Sequence, residues 1–110
     1  MPNVVVFDVG GTKMATTIIN EHGKDLLEGN PRRVETKDQV PAEEFVGLMA
    51  AELDALDSQF GDVVAWGAAF PGPYRRLSNF ELEVFPRNIP GVRGRSIEAE
   101  MRPFFPEFPE

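Results

Sequence analysis

The apolar residues at the start of the chain predict two strands joined by a tight turn. An apolar run from Val4 to Val9, interrupted only by Asp8, is rich in β-branched residues and typical of a central strand buried on both faces. A second β-branched segment, 13–20, follows the glycine pair at 10–11. These glycines are expected to take the positive φ angles that a tight hairpin needs.

A third, more polar strand is predicted from about Asp25 to Thr36. Glycine and proline at 29–31 favour a break or a bulge within it. Three strands in series form an antiparallel meander.

The spacing of apolar residues then changes to that of a helix. Pro41 is tolerated in a first turn, and the carboxylates of Glu43 and Glu44 favour the positive end of the helix dipole. Gly61 is a plausible stop. The apolar stripe consists of Phe45, Leu48, Met49, Leu53, Leu56 and Phe60.

An apolar run at 62–70 follows the helix, and a right-handed crossover would place it parallel to the first strand. Beyond a Pro-Gly-Pro turn, 74–85 is predicted to form a small hairpin with Ser78 and Asn79 at its tip. Ser96 is expected to cap a short helix that runs to Met101. The expected fold class is therefore α/β, a mixed sheet with a helix on one face and the opposite face under-protected.

Composition narrows the classes of function. The chain has 110 residues, enough for one domain, and a net charge of −7 that disfavours nucleic acid and anionic membranes as partners. It has no cysteine, which excludes disulfides and thiolate zinc sites. Neither a signal peptide nor an apolar stretch of membrane-spanning length is evident, so a cytoplasmic protein is expected.

The turn after the first strand is the best candidate for chemistry. Glycines at 10 and 11 allow backbone N–H groups to approach a phosphate closely, and Thr12 adds a hydroxyl donor. Asp8 offers the oxygen ligands that Mg²⁺ prefers. By itself the glycine pair favours the simpler interpretation, a plain hairpin turn beside a solvated carboxylate.

Three ordered motifs make the interpretation more specific. The segment Asp-Val-Gly-Gly-Thr-Lys at 8–13, followed by Asn-Glu-His-Gly-Lys at 20–24, resembles the opening of the ROK family of sugar kinases and repressors. Gly-Ala-Ala-Phe-Pro-Gly-Pro at 67–73 and Asn-Ile-Pro-Gly at 88–91 resemble two further motifs of this family, in the same order. The family belongs to the actin/hexokinase/heat-shock-chaperone superfamily.

This resemblance implies a ribonuclease-H-like half-lobe and a role for each motif. ATP and Mg²⁺ would be the cofactors of the intact enzyme, with Asp8 near the metal and the first hairpin at the phosphates. The cofactor-binding residues that it implies are Asp8, Gly10, Gly11, Thr12 and Lys13, and the sugar-binding residues are Gly72, Pro73, Asn88 and Gly91. Asn88 can also be read as an ordinary turn residue before Ile-Pro.

Two departures limit what the chain can do. Val92 and Arg93 stand where the family usually has a tryptophan, and the family's aspartate base, in an Asn-Asp-x-Asn segment, does not occur. We therefore expect 1–95 to be the N-terminal phosphate-binding lobe of an ATP-dependent hexose kinase, with no catalytic residue and no activity alone. Residues 96–110 would lead into a C-terminal domain.

Two other functions stay open. The chain could be a stand-alone interaction or dimerisation module, with either a second copy or a C-terminal domain covering the exposed sheet face. It could also be a fragment of a ROK-type regulator that lacks its DNA-binding domain. A kinase is preferred because the chain begins at the first strand, without room for a helix-turn-helix.

Overall fold

The first strand lies between two neighbours in a four-stranded sheet. The computed structural model describes residues 2–10, 13–36, 41–69, 74–76, 82–84, 95–96, 99 and 101. Its first elements are β1 (Asn3–Val9), β2 (Lys13–Asn20), β3 (Arg32–Glu35), α1 (Ala42–Phe60) and β4 (Val63–Ala69). The sheet has the order β3-β2-β1-β4.

The strand directions are those that the sequence predicts. β2 pairs antiparallel with β1 and with β3, which makes the meander, and β4 pairs parallel with β1 after the crossover through α1. The predicted α/β class and its mixed sheet are therefore confirmed.

One face of the sheet packs against α1. Alternate residues of β1 and β2 point towards the helix, so the buried positions recur with a period of two. The buried apolar cluster consists of Val5, Phe7, Val9, Met14 and Ile18 from the sheet, Ala42, Phe45, Val46, Met49, Leu53 and Leu56 from α1, and Met101. The packing of these side chains therefore holds α1 against this face of the sheet.

The N-terminal end of α1 differs from the expectation, whereas the C-terminal end matches it. Pro41 lies before the first helical residue instead of inside the first turn. The Phe45 N–H donates to the Pro41 carbonyl oxygen at 3.0 Å. At the other end Gly61 has φ 75° and donates its N–H to the Asp57 carbonyl oxygen at 2.8 Å. The predicted glycine stop is confirmed, since few other residues adopt this φ at low cost.

The third strand is much shorter than predicted. Between Asp25 and β3 the chain forms a turn, because the Asp25 carboxylate accepts hydrogen bonds from the N–H groups of Leu27 and Gly29, both at 2.9 Å. It also accepts one from the Thr17 hydroxyl at 2.7 Å. Side-chain acceptors of this kind compete with strand pairing. Within 25–36, pairing with β2 is limited to Arg32–Glu35 and an isolated bridge between Ile19 and Asp25.

A second, small sheet follows β4. It contains β5 (Tyr74–Arg76), β6 (Leu82–Val84) and β7 (Arg95–Ser96) in that order, all antiparallel. The predicted hairpin is thus present, while its tip at Ser78 and Asn79 lies outside the described residues. The sequence did not predict β7. The Ala99 N–H donates to Ser96 Oγ at 3.3 Å, which is the hydrogen bond expected of a serine at the N-terminal cap of a helix.

The face of the sheet opposite α1, hereafter the open face, carries apolar residues of moderate exposure. Val4, Val6 and Ile19 on this face are half-buried. Val64, on β4, is 43% exposed and is the one exposed large hydrophobic side chain in the described part of the chain. None of the helices in that part is both long and apolar enough to cross a membrane.

Candidate functional site

The site residues predicted at the first turn lie at one edge of the four-stranded sheet. Because β1, β3 and β4 run in the same direction, their carboxyl ends share this edge with the start of β2. Asp8 is in register with Ala69 at the end of β4 and with Ala15 of β2. We call this the phosphate edge, after the ligand that the sequence predicts there, and define it by Asp8, Gly10, Lys13, Glu35 and Ala69.

The turn itself is closed by a short backbone hydrogen bond. The Gly10 N–H donates to the Lys13 carbonyl oxygen at 2.8 Å. A Cβ atom on Gly10 would stand 3.2 Å from the same oxygen, closer than most side chains tolerate. The expectation of a positive φ at Gly10 is wrong, since it is not among the residues with positive φ. Glycine is favoured at this position by close backbone approach instead.

Asp8 lies at the end of β1 and faces the open side of the sheet. Its neighbours Phe7 and Val9 are buried beneath α1, and the alternation of the strand turns the Asp8 side chain the other way, where it is exposed. A single exposed carboxylate beside a turn fits a magnesium ion that keeps several waters and takes its other oxygens from phosphates. No cluster of three or more acidic or histidine side chains suited to a metal occurs in the described ranges.

Lys13 opens β2 and is also exposed. Its register partner is Glu35, the last residue of β3, so an ammonium and a carboxylate occupy opposite positions at the phosphate edge. Lys13 is therefore positioned beside the turn that the sequence assigns to a phosphate. Gly11 and Thr12, the other two predicted cofactor-binding residues, lie outside the described residues.

The predicted sugar-binding residues Gly72, Pro73, Asn88 and Gly91 also lie outside the described residues. β4, which precedes the Pro-Gly-Pro motif in the sequence, ends at Ala69 beside Asp8 at the phosphate edge.

Sequence reasoning missed the charged residues of β3, of which Glu35 lies at this edge. Arg32 lies on the helix face, where its Nε–H donates to the Glu52 carboxylate of α1. This hydrogen bond, and after it the charge of Glu52, raises the pKa of Arg32. Arg33 and Glu35 alternate with Arg32 and therefore both lie on the open face, with Glu35 in register with Lys13. A strict period-two reading of 32–35 is the signal that could have found them.

Comparisons with known proteins add the fold context. No protein-family model matches the chain, and no curated protein matches it. A putative sugar kinase from Cytophaga hutchinsonii is 27% identical, with a TM-score of 0.72 over 96% of this chain. A ROK family glucokinase from Streptomyces griseus, solved with glucose and AMPPNP, is 23% identical with a TM-score of 0.74 over 96%. The ROK hexokinase from Thermus thermophilus is 24% identical, with a TM-score of 0.73 over 96%.

The match covers nearly all of this chain but a minor part of each neighbour. It spans 34% of the Cytophaga protein, 31% of the Streptomyces glucokinase and 33% of the Thermus hexokinase. The resemblance predicted from the sequence motifs is therefore confirmed at the level of fold. The chain has the fold of the N-terminal part of the ROK family glucokinases and sugar kinases.

Proposed function

We propose that this chain is the N-terminal lobe of an ATP-dependent hexose kinase of the ROK type. The observation that carries the proposal is the meeting of Asp8, Gly10 and Lys13 at one sheet edge, in a fold that matches a glucokinase solved with glucose and AMPPNP. Backbone N–H groups of the turn would contact phosphate oxygens, and Lys13 would add a positive charge beside them.

The proposed cofactors are ATP and Mg²⁺, and Asp8 is the residue that would hold the metal, directly or through water. Magnesium, when bound, neutralises charge on the phosphate oxygens. The work of this chain is to orient the phosphate chain against the turn and to supply one wall of the cleft. Gly72, Pro73, Asn88 and Gly91 are proposed to line the sugar side.

Turnover by this lobe alone is not part of the proposal. Phosphoryl transfer relies on positioning and on charge stabilisation from both sides of a closed cleft. Residues 96–110 are proposed to connect the lobe at 1–95 to the part of the enzyme that would complete the cleft. A cytoplasmic location, without nucleic-acid or membrane partners, goes with this function.

A further layer, from a C-terminal domain or a second copy, is proposed to cover the apolar part of the open face. The half-buried Val4, Val6 and Ile19 support such a layer, because apolar sheet faces pack against another element. Sedimentation of the purified chain between low and high concentration tests the second copy. A monomer throughout would remove that alternative.

Nucleotide binding by the 110-residue chain tests the proposed function. Titration of ¹⁵N-labelled protein with Mg-AMPPNP is expected to shift the amide signals of Gly10 and Lys13 first, and the Asp8→Asn variant is expected to weaken the dependence on Mg²⁺. Glu21→Gln is the matched control, because Glu21 is an exposed carboxylate at the opposite edge of the sheet. Shifts confined to other parts of the chain, or none at all, would refute the proposal.

A coupled assay of glucose phosphorylation addresses activity. The chain with Mg-ATP is expected to give the same rate as the buffer. A rate that depends on protein concentration and disappears in Asp8→Asn would contradict the claim that the lobe is inactive alone.

A further inference from the structure

The open face carries four charged side chains at or beside the phosphate edge, and they come from three strands. Asp8, Lys13, Arg33 and Glu35 are all exposed. The register arranges them in two rows across the sheet, one from Asp8 through Ala15 to Arg33 and the other from Lys13 to Glu35. Of these four, Arg33 and Glu35 belong to none of the motifs described above.

The side chain of Arg33 lies on the open face, because that of the preceding residue, Arg32, lies on the helix face. Arg32 donates to Glu52 of α1, which fixes the Arg32 side chain on the helix face. Successive side chains of a strand point to opposite faces, so Arg33 projects from the other face. Between Arg33 and Asp8 the row contains only Ala15, which adds a single methyl group.

Arg33 and Lys13 are diagonal neighbours on the paired strands β2 and β3. Diagonal positions of an antiparallel pair are about 7–8 Å apart, within reach of two long side chains that share a ligand. A phosphate chain that contacts the Lys13 ammonium is therefore close enough to meet the Arg33 guanidinium. One guanidinium group can donate two parallel hydrogen bonds to phosphate oxygens, so an arginine binds a phosphate chain with better geometry than a further lysine would.

The carboxylates of Asp8 and Glu35 determine whether a phosphate chain needs a divalent cation in order to bind. Asp8 and Glu35 balance the charges of Lys13 and Arg33, so the four groups offer a bare polyanion no net attraction. A divalent cation held by Asp8 would supply the missing positive charge, because Mg²⁺ is held by one or two carboxylates together with phosphate oxygens.

We propose that Arg33 is a second phosphate-binding cation of the phosphate edge, and that it contacts a linear phosphate chain together with Lys13 and in the presence of Mg²⁺. This proposal rests on the proposed function and extends it by one residue on β3. A nucleotide and an inorganic polyphosphate present the same chemistry, a chain of phosphoryl groups.

Binding of two probes distinguishes a nucleotide from an inorganic polyphosphate as the ligand. The chain is titrated with inorganic tripolyphosphate and, separately, with ADP, each with Mg²⁺, and the Kd is read from amide shifts. Arg33→Gln is expected to weaken binding about three- to tenfold, the effect of one exposed charge-assisted contact. A loss for tripolyphosphate alone assigns Arg33 to a longer phosphate chain, and an equal loss for both assigns it to the phosphates that the two probes share.

The matched control is Lys24→Gln, which removes one exposed positive charge beyond the far end of β2. It is expected to change either Kd less than twofold, and the thermal midpoints of both variants are compared with the wild type to verify folding. Arg33→Lys should recover part of the loss.

Two results would overturn the inference, and they differ in what else they refute. If Lys13→Gln weakens binding and Arg33→Gln behaves like Lys24→Gln, Arg33 is a solvated surface residue and the proposed function stands. If the wild-type chain binds neither probe, the phosphate edge is not a phosphate site and both proposals fail.

Discussion

The hydrogen bond between Arg32 and Glu52 allows a quantitative test of how β3 is held. Glu52 is 7% exposed within α1, and its carboxylate accepts from the Arg32 guanidinium of β3. Arg32→Met keeps most of the length of the side chain and removes the donor. The Glu52 carboxylate then stays beneath β3 without this partner, which is the costly case for a buried charged group.

The expected loss is about 1–2 kcal/mol in the free energy of unfolding. A hydrogen bond to a charged group contributes about 1.5–3 kcal/mol, and the value falls towards the lower end here because water reaches the guanidinium side. The Arg32 side chain is 44% exposed, whereas that of Glu52 is 9% exposed. For a domain of this size, such a loss lowers the melting midpoint by about 5–15 °C.

Urea unfolding, followed by far-ultraviolet circular dichroism and by tryptophan fluorescence, measures this loss. The chain has one tryptophan, Trp66, whose ring packs edge-on against Phe7 with the ring centroids 6.1 Å apart, so its emission reports on the core. Arg33→Met is the matched control. It removes the same group from the adjacent residue on the open face and should change stability by less than about 0.5 kcal/mol.

The double variant Arg32→Met/Glu52→Met completes the cycle. It should be more stable than Arg32→Met alone, because an apolar pair can replace a buried ion pair at little cost. The pKa of Arg32 is raised in the folded state, so its contribution is complete below the ordinary arginine pKa and is lost only at strongly alkaline pH. The effect of Arg32→Met should therefore be constant between about pH 6 and 9. Equal stabilities of Arg32→Met and Arg33→Met would refute the assigned contact.

Two further predictions concern the turns. The pKa of Asp25 is lowered by the Thr17 hydroxyl and by two backbone N–H groups, so its contribution is present above the ordinary aspartate pKa and is lost as pH falls through the lower folded value. The stability difference between wild type and Asp25→Asn should shrink in acid titrations below about pH 4, and a constant difference would contradict this. Gly61→Ala should destabilise by about 1 kcal/mol because φ is 75°, while Gly47→Ala inside α1 should stabilise by a similar amount in the same urea assay. Losses of equal size at both glycines would contradict that reasoning.

The helix and the strands β1, β2 and β4 to β6 were predictable because their signals are local. The stripe from Phe45 to Leu56 needs only the 3.6-residue period, and α1 buries that stripe with Leu48 and Phe60 at its margins. The turn after Asp25 was not predicted. Leu26 and Leu27 are compatible with a strand, and the competing hydrogen bond from Thr17 comes from a neighbouring strand eight residues away.

The candidate site was partly predictable as well. Asp8 and Gly10 stand out from the sequence because a carboxylate and a glycine pair end an apolar strand. The predicted reason for a glycine at position 10 was wrong. The Lys13 carbonyl oxygen leaves little room for a Cβ atom there, and φ is not positive. A close approach between backbones depends on how the turn closes, which composition does not reveal.

By itself the sequence determined the order of the elements from β1 to β6, the face of α1 that is buried and the motifs at 8–13 and 67–73. The tertiary structure alone decided which residues meet at the phosphate edge. It set Asp8 beside Ala69, Lys13 beside Glu35, and Arg33 on the face opposite Arg32. The physical reason is that apolar periodicity depends on neighbours along the chain, whereas strand register is fixed by burying one sheet face against a helix from elsewhere in the sequence.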